Sequence, residues 1–193
     1  MKNFIFFGKP GAGKGTQAQR IKQKYGLIHI STGDLFRKHI SNKTTLGKSV
    51  QAYLDRGDLV PDQVTIDMLE NEFQNIENPK GYILDGFPRT VGQAESLEQF
   101  FHRLKLKLKG VISIEVDQQL LIERLLNRGK ISRRTDDLDI RKINNRFQEY
   151  DQKTNPLIEF YQTRKLFYSV NGHGTIEEIS QRLYQLIDRL SST

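Results

Sequence analysis

The sequence predicts an α/β domain, a parallel five-stranded sheet flanked by helices. Three observations carry that prediction. Short apolar runs alternate with longer stretches of helical period, as repeated strand–helix units do. Three of the runs, Phe4–Phe7, Tyr82–Leu84 and Val111–Val116, are apolar almost throughout, as strands covered on both faces must be. The first run leads straight into a glycine-rich turn that opens a helix.

In chain order, Phe4–Phe7 is the first strand and Gly8 to Gly13 the turn after it, with a helix predicted from Lys14 to Tyr25. Leu27–Ile30 is the second strand. Two short helical patterns follow, Asp34–Ile40 and Leu46–Leu54, closing on the turn-rich Arg56-Gly57-Asp58-Leu59-Val60-Pro61. A helix over Asp62–Asn75 leads to the third strand, Tyr82–Leu84, and a helix over Thr90–Phe101 to the fourth, Val111–Val116. Gln118–Asn127 is helical. Residues 128–139 are polar and weakly periodic, and helices resume over Ile140–Gln152 and Pro156–Thr163. Leu166–Val170 is the fifth strand. The last helix, Thr175–Leu190, is the best patterned, with Ile176, Ile179, Leu183, Leu186, Ile187 and Leu190 on one stripe. Residues 31–61 and 128–139 fit the sheet poorly, and in α/β domains such insertions form substrate lobes and lids.

A chain of 193 residues makes one domain with enough core to need no staples. Thirty Lys and Arg against 23 Asp and Glu leave a net charge of +7, so anions are expected partners. The absence of cysteine excludes disulfides, thiol catalysis, iron–sulfur clusters and Cys-ligated zinc. No apolar run approaches the ~18 residues a membrane span requires, and the start is too short for a signal-peptide core. A cytoplasmic setting and no membrane partner are the expectations.

The glycine turn carries the chemistry. In Gly8-Lys9-Pro10-Gly11-Ala12-Gly13-Lys14-Gly15-Thr16 the glycines let successive backbone N–H groups face an anion. The helix N-terminus adds its dipole and Lys14 a mobile charge for the β and γ phosphates. Gly15 stands where such loops usually carry Ser or Thr, with the hydroxyl one place later at Thr16. Direct capture of Mg²⁺ by the loop is therefore weakened, and Asp85, after Tyr82-Ile83-Leu84, is the better carboxylate to orient the ion through its water shell.

With Gly after the lysine, the loop resembles that of the adenylate kinase family. Further blocks follow in that family's order: His29-Ile30-Ser31-Thr32-Gly33-Asp34-Leu35-x-Arg37, Gly57-x-Leu59-Val60-Pro61-Asp62, and Gly81-Tyr82-Ile83-Leu84-Asp85-Gly86-Phe87-Pro88-Arg89-Thr90 with Gln93. Arg134-Thr135-Asp136-Asp137, Arg146-Phe147-x-x-Tyr150 and Thr154-x-Pro156-Leu157-Ile158 complete the series. The resemblance spans essentially the whole chain. It implies a P-loop nucleoside monophosphate kinase core (1–30, 61–127 and 140–193), an AMP-binding lobe at 31–60 and a short lid at 128–139 without the insertion that holds zinc in some relatives.

The implied reaction is ATP + AMP ⇌ 2 ADP, with ATP, AMP, ADP and Mg²⁺ as ligands and a monomeric protein. A phosphate nucleophile is already ionised, so positioning and charge neutralisation are the whole demand. By the resemblance, Gly11, Ala12, Gly13, Lys14, Gly15, Thr16, Arg124, Arg128 and Gly174 serve ATP. Thr32, Arg37, Asp58, Leu59, Val60, Gly86, Phe87, Pro88, Arg89, Gln93, Arg134 and Arg146 serve AMP. Arg134 and Arg146 cover the group in transit, with Lys14, Arg89, Arg128, Arg134 and Arg146 as the catalytic set. Arg141 rivals Arg146, because the spacing from Asp136-Asp137 is about one residue long for the family. Arg124 also reads as a plain helix-face residue. Gly33, Gly57 and Gly129 are hinge candidates. Arg133 stands where relatives commonly have Gly.

Two other readings compete. A UMP/CMP kinase keeps the chemistry and changes the acceptor, and Thr32 and Gln93 argue against it. A non-catalytic nucleotide- or RNA-binding module would use the lysines of Leu104-Lys105-Leu106-Lys107-Leu108-Lys109. No aromatic residues interleave them to stack on bases, so nucleic acid is not an expected partner.

Overall fold

The computed structural model describes residues 1–132 and 135–192. Five strands, β1 (Asn3–Phe7), β2 (Ile28–Ser31), β3 (Tyr82–Asp85), β4 (Leu108–Glu115) and β5 (Phe167–Asn171), form one sheet in the order β2-β3-β1-β4-β5. Every pairing is parallel. Between and after them lie α1 (Lys14–Tyr25), α2 (Thr32–Ser41), α3 (Thr45–Arg56), α4 (Asp62–Gln74), α5 (Val91–Arg103), α6 (Gln118–Ser132), α7 (Ile140–Glu149), α8 (Pro156–Gln162) and α9 (Ile176–Ser191).

The parallel sheet is explained by its two covered faces. Along β1, Phe4 and Phe6 join a core with Ile21 of α1, Leu121 and Leu125 of α6 and Leu183 and Ile187 of α9. Ile5 and Phe7 point the other way, into a second core with Leu69 of α4, Leu97 of α5 and Leu157 and Tyr161 of α8. A smaller cluster of Phe36, Val50, Val60 and Met68 joins α2, α3, the turn before α4 and α4 itself. The stripe read on the last helix faces the first core, apart from Ile176, which is 48% exposed.

Register places the site. Phe6 pairs with Asp85 and Ser31 with Asp85, so β1, β2 and β3 end together. The glycine loop, Asp85 and the start of α2 therefore emerge side by side at the carboxyl edge of the sheet, where ligands bind in parallel α/β folds.

Three predicted elements differ from the structure. The helix expected to end at Asn127 runs on to Ser132, through the first five residues of the segment read as a loop. Ser132 Oγ donates to Arg128 O at 2.7 Å, and Gly129 lies buried where a Cβ would press on Leu138 and Asp137. Gly129 is thus a close-packing position inside α6 and not a loop hinge. β4 begins at Leu108, so the lysine-alternating run is a turn at Lys105 that enters an inner strand. The helix expected over Ile140–Gln152 instead gives way after Glu149 to a widened π turn, Tyr150–Thr154, ahead of Pro156. That turn brings the buried Thr154 against Arg89, whose carbonyl accepts from Thr154 Oγ1 at 3.1 Å.

Candidate active site

Two hollows open at the carboxyl edge of the sheet, labelled donor-side and acceptor-side after the roles the resemblance leads one to expect. The donor-side hollow is lined by Gly11, Ala12, Gly13, Lys14, Gly15 and Thr16 of the loop, and by Asp85, Arg124, Arg128 and Gly174. The acceptor-side hollow is lined by Thr32, Arg37, Asp58, Leu59, Val60, Pro88 and Gln93. Both are open to solvent. Lys14, Arg37, Gly86, Arg89 and Arg146 line both, so one cationic seam separates and joins the two spaces.

The loop takes its shape from backbone that only glycine adopts cheaply. Gly13, at φ 92°, caps α1 at its N-terminus and turns the chain into the helix. Lys14 folds back, Nζ donating to Gly8 O at 2.6 Å and Lys9 O at 3.2 Å. Burial pushes the Lys14 ammonium down to about 8; Asp85 opposes that fall, while Arg89, Arg146 and Arg128 add to it. Asp85 is fixed by the end of β3, and His29 Nε2 stands 3.5 Å from its Oδ2. Burial would raise the Asp85 carboxyl, but His29, Lys14 and Arg89 outweigh it and hold it below the usual carboxylate value.

On the acceptor side, Gly86 (φ 80°) is the pivot. Its carbonyl accepts from Thr32 Oγ1 at 2.9 Å and from Arg89 Nε at 2.8 Å. A Cβ there would meet Arg89 Nη2 at 2.9 Å and Thr32 Oγ1 at 3.0 Å. With Nε committed, no hydrogen bond from Arg89 Nη1 or Nη2 occurs among the described residues, which leaves the outer edge of the fork for a ligand. Burial brings Arg89 down to about 10, helped by Arg146 and Arg37 against Asp85 and Asp136, so it stays charged at neutrality. Arg37 rests on Asp34 at 2.6 Å.

Arg128 and Arg146 sit on carboxylates. Arg128 grips Asp137 with both Nε (2.7 Å) and Nη2 (3.0 Å), and Arg146 Nη1 reaches Asp137 at 2.6 Å and Asp136 at 2.9 Å. Burial would raise the Asp137 carboxyl, but Arg128 and Arg146 prevail and hold it low. A group with a depressed folded-state pKa stabilises above its unfolded value and loses that contribution as pH falls through the folded one. Asp137→Ala is therefore expected to cost about 2–3 kcal/mol at pH 7, below the range for a fully buried pair because Arg128 is partly exposed. Urea unfolding checks this, and the gap between wild type and variant should narrow below pH 4.

Of the two rival arginines, Arg146 lines both hollows, whereas Arg141 is 89% exposed and pairs with Asp139. The phase of α7 decides it, because Ile143 and Phe147 are the buried pair on the side that carries Arg146 inward. Arg124 lines the donor side, and its Nη2 donates to Gly172 O at 3.4 Å. Phe87 does not line either hollow. Its ring is buried in the second core, because the strand end that exposes Gly86 and Pro88 turns residue 87 inward. Arg134 lies outside the described residues, as does Arg133. Sequence reasoning gave no site role to Tyr150 and Thr154, which line the acceptor hollow, or to Asp62, which braces it; all three stand in the quoted motifs, the only signal available.

Residues 6–166 match the family model described as Adenylate kinase. The chain belongs to the adenylate kinase family. The adenylate kinase of Flavobacterium psychrophilum is 52% identical over 190 residues, 98% of this chain and 100% of that protein. Those of Porphyromonas gingivalis and a Synechococcus strain are 43% and 44% identical over 189 residues, covering 98% and 97% of this chain and 97% and 100% of theirs. No helix among the described residues is long and apolar enough to cross a membrane.

Proposed function

We propose that the protein is an adenylate kinase that moves the γ-phosphoryl group of ATP to AMP, with ATP in the donor hollow and AMP in the acceptor hollow. The observation that carries this reading is the shared seam: Lys14, Arg37, Arg89 and Arg146 line both spaces at once. Two nucleotides entering from opposite sides would present their phosphates to the same cations. In-line transfer needs little more than that, because the attacking phosphate is already ionised and charge must only be held as it spreads over the moving oxygens.

The roles divide by position. Backbone N–H groups of Gly11–Thr16 and the Lys14 ammonium bind the donor phosphates, and Arg124 and Arg128 flank them from α6. Arg37 and Arg89 grip the acceptor phosphate. Arg146 shields the group in transit, and the resemblance adds Arg134 to that task. Residues 31–60 act as the acceptor lobe and 128–139 as a short lid whose closure excludes water, the competing acceptor. Magnesium, when bound, neutralises the donor phosphates. Asp85 suits a hydrated ion: it is ionised, it lines the donor hollow, and a side chain at Gly15 would sit 3.7 Å from its Oδ2, so the glycine leaves that space open. Among the described residues no cluster of His, Asp and Glu cages a metal directly.

Base choice follows from hydrogen-bond direction. Gly86 O can only accept, so the Thr32 hydroxyl has given it its proton and can only accept from a ligand. That favours a base presenting an amino group, as adenine does, over one presenting a carbonyl, as uracil does. With ATP as donor, turnover is expected with AMP, weaker with CMP, weakest with UMP, and lost in all cases without Mg²⁺. A coupled ADP-formation assay checks this, and equal rates with all three acceptors would overturn the adenine assignment.

A further inference from the structure

We infer that Asp62 is a positioning residue for acceptor choice: it holds the Gln93 carboxamide in a single orientation and so sets the base edge that the site accepts. The inference rests on the reading above, that the base of the acceptor lies beside Gln93.

The hydrogen bonds around Gln93 leave no freedom. Its Oε1 accepts from the Arg89 backbone N–H at 2.7 Å, and its Nε2 donates to Asp62 Oδ1 at 2.8 Å. A carboxylate only accepts and an amide N–H only donates, so flipping the carboxamide would set N–H against N–H and oxygen against carboxylate. The second Asp62 oxygen is held in turn, Thr90 Oγ1 donating to Oδ2 at 2.6 Å while the same hydroxyl accepts from Gln93 N–H at 3.2 Å. The carboxamide is almost fully buried yet lines the acceptor hollow. One N–H and one oxygen lone pair remain to it, an adjacent donor and acceptor whose order is set by Asp62. That pair matches the N1 acceptor and amino donor of adenine.

Asp62 has a plain structural role available, since it opens α4 and an acidic residue suits a helix N-terminus. Its contacts say more. Both of its carboxylate oxygens are engaged by Thr90 and Gln93, 28 and 31 residues on, in the loop and helix that also carry Arg89. Through Gln93 it bears on the Arg89 backbone as well, which Thr154 holds from the other side.

Asp62→Asn keeps the shape and replaces one obligate acceptor with a donor. With ATP as donor, the ratio of kcat/KM for AMP to that for CMP should fall about tenfold, mainly through KM for AMP, with KM for ATP unchanged. In a Gln93→Ala background, Asp62→Asn should have no further effect on that ratio, whereas a purely structural aspartate would act additively. A folded Asp62→Asn protein with an unaltered ratio overturns the inference, as does full additivity in the cycle. Should Asp62→Asn fail to fold, Thr90→Val removes the hydroxyl that holds Oδ2, and an unchanged ratio there overturns it equally. Loss of the Gln93 reading itself would show separately: Gln93→Ala alone would leave the AMP preference intact.

Discussion

Arg89→Ala is expected to lower kcat by about 10²- to 10⁴-fold while KM for ATP changes little, the loss of one preorganised charged fork at a transferring phosphoryl group. The asymmetry follows from placement. Arg89 hangs from the turn after β3, its Nε on Gly86 O, its backbone N–H on Gln93 and its carbonyl on Thr154, all on the acceptor side. The donor loop has its own cradle and does not depend on these bonds. Arg89→Lys separates charge from geometry: it keeps the cation but loses the Nε bond and the bidentate fork, so most of the loss should persist. A coupled assay at saturating ATP and a separate titration of ATP binding would measure the two halves. Unchanged turnover in either variant would remove Arg89 from the site.

What the chain disclosed in advance divides along a physical line. Strand β1, the glycine loop and Lys14 are specified by neighbours in sequence: an apolar run buried on both faces, glycines at left-handed backbone, and a helix start. Local signals of that kind survive any reading. Features held by distant partners do not show. The continuation of α6 through Gly129 and Lys130 looks like loop by composition, and it is the Arg128–Asp137 grip that folds residues 135–137 back against it. The sequence favours Arg146 over Arg141 only through the Phe147 and Tyr150 that follow it, because the inward side of α7 has just Ile143 and Phe147 to announce it, too few apolar positions to set the helix phase. Phe87 misled for the opposite reason: it sits inside a motif whose neighbours line the cleft, while its own ring completes a core that the motif does not mention. Asp62 was quoted within a motif and given no role of its own. Its meaning lies in Thr90 and Gln93, which no local pattern ties to it.

Lys14→Met should abolish useful turnover, by 10³-fold or thereabouts for a phosphate-binding lysine, and at the same time make the protein more stable at pH 7. The second effect follows from burial. Burial pushes the Lys14 ammonium down to about 8 from an ordinary value near 10.5. Below pH 8 both folded and unfolded chains carry the proton, and the folded one bears the full cost of holding a charge among Arg89, Arg146 and Arg128. Between about 8 and 10.5 the unfolded chain binds the proton and the folded chain does not, so unfolding takes up protons and stability rises with pH. Methionine carries no charge to bury. It forfeits the two carbonyl bonds to Gly8 and Lys9 but fills similar volume, for a net gain of about 1–3 kcal/mol at neutrality. Urea unfolding at pH 7 and pH 10 tests the sign directly: the advantage of the variant should shrink at the higher pH as the wild-type lysine discharges. The same titration should appear in the kinetics of the wild type. kcat/KM for ATP, which reports the free enzyme, should fall as pH rises through about 8, while kcat holds to higher pH because bound phosphates restore the lysine's proton. A cation that weakens the empty fold and is needed by the filled one is what a site built around two triphosphate- and monophosphate-bearing ligands requires: the charges that repel one another across the seam are the charges the phosphates neutralise.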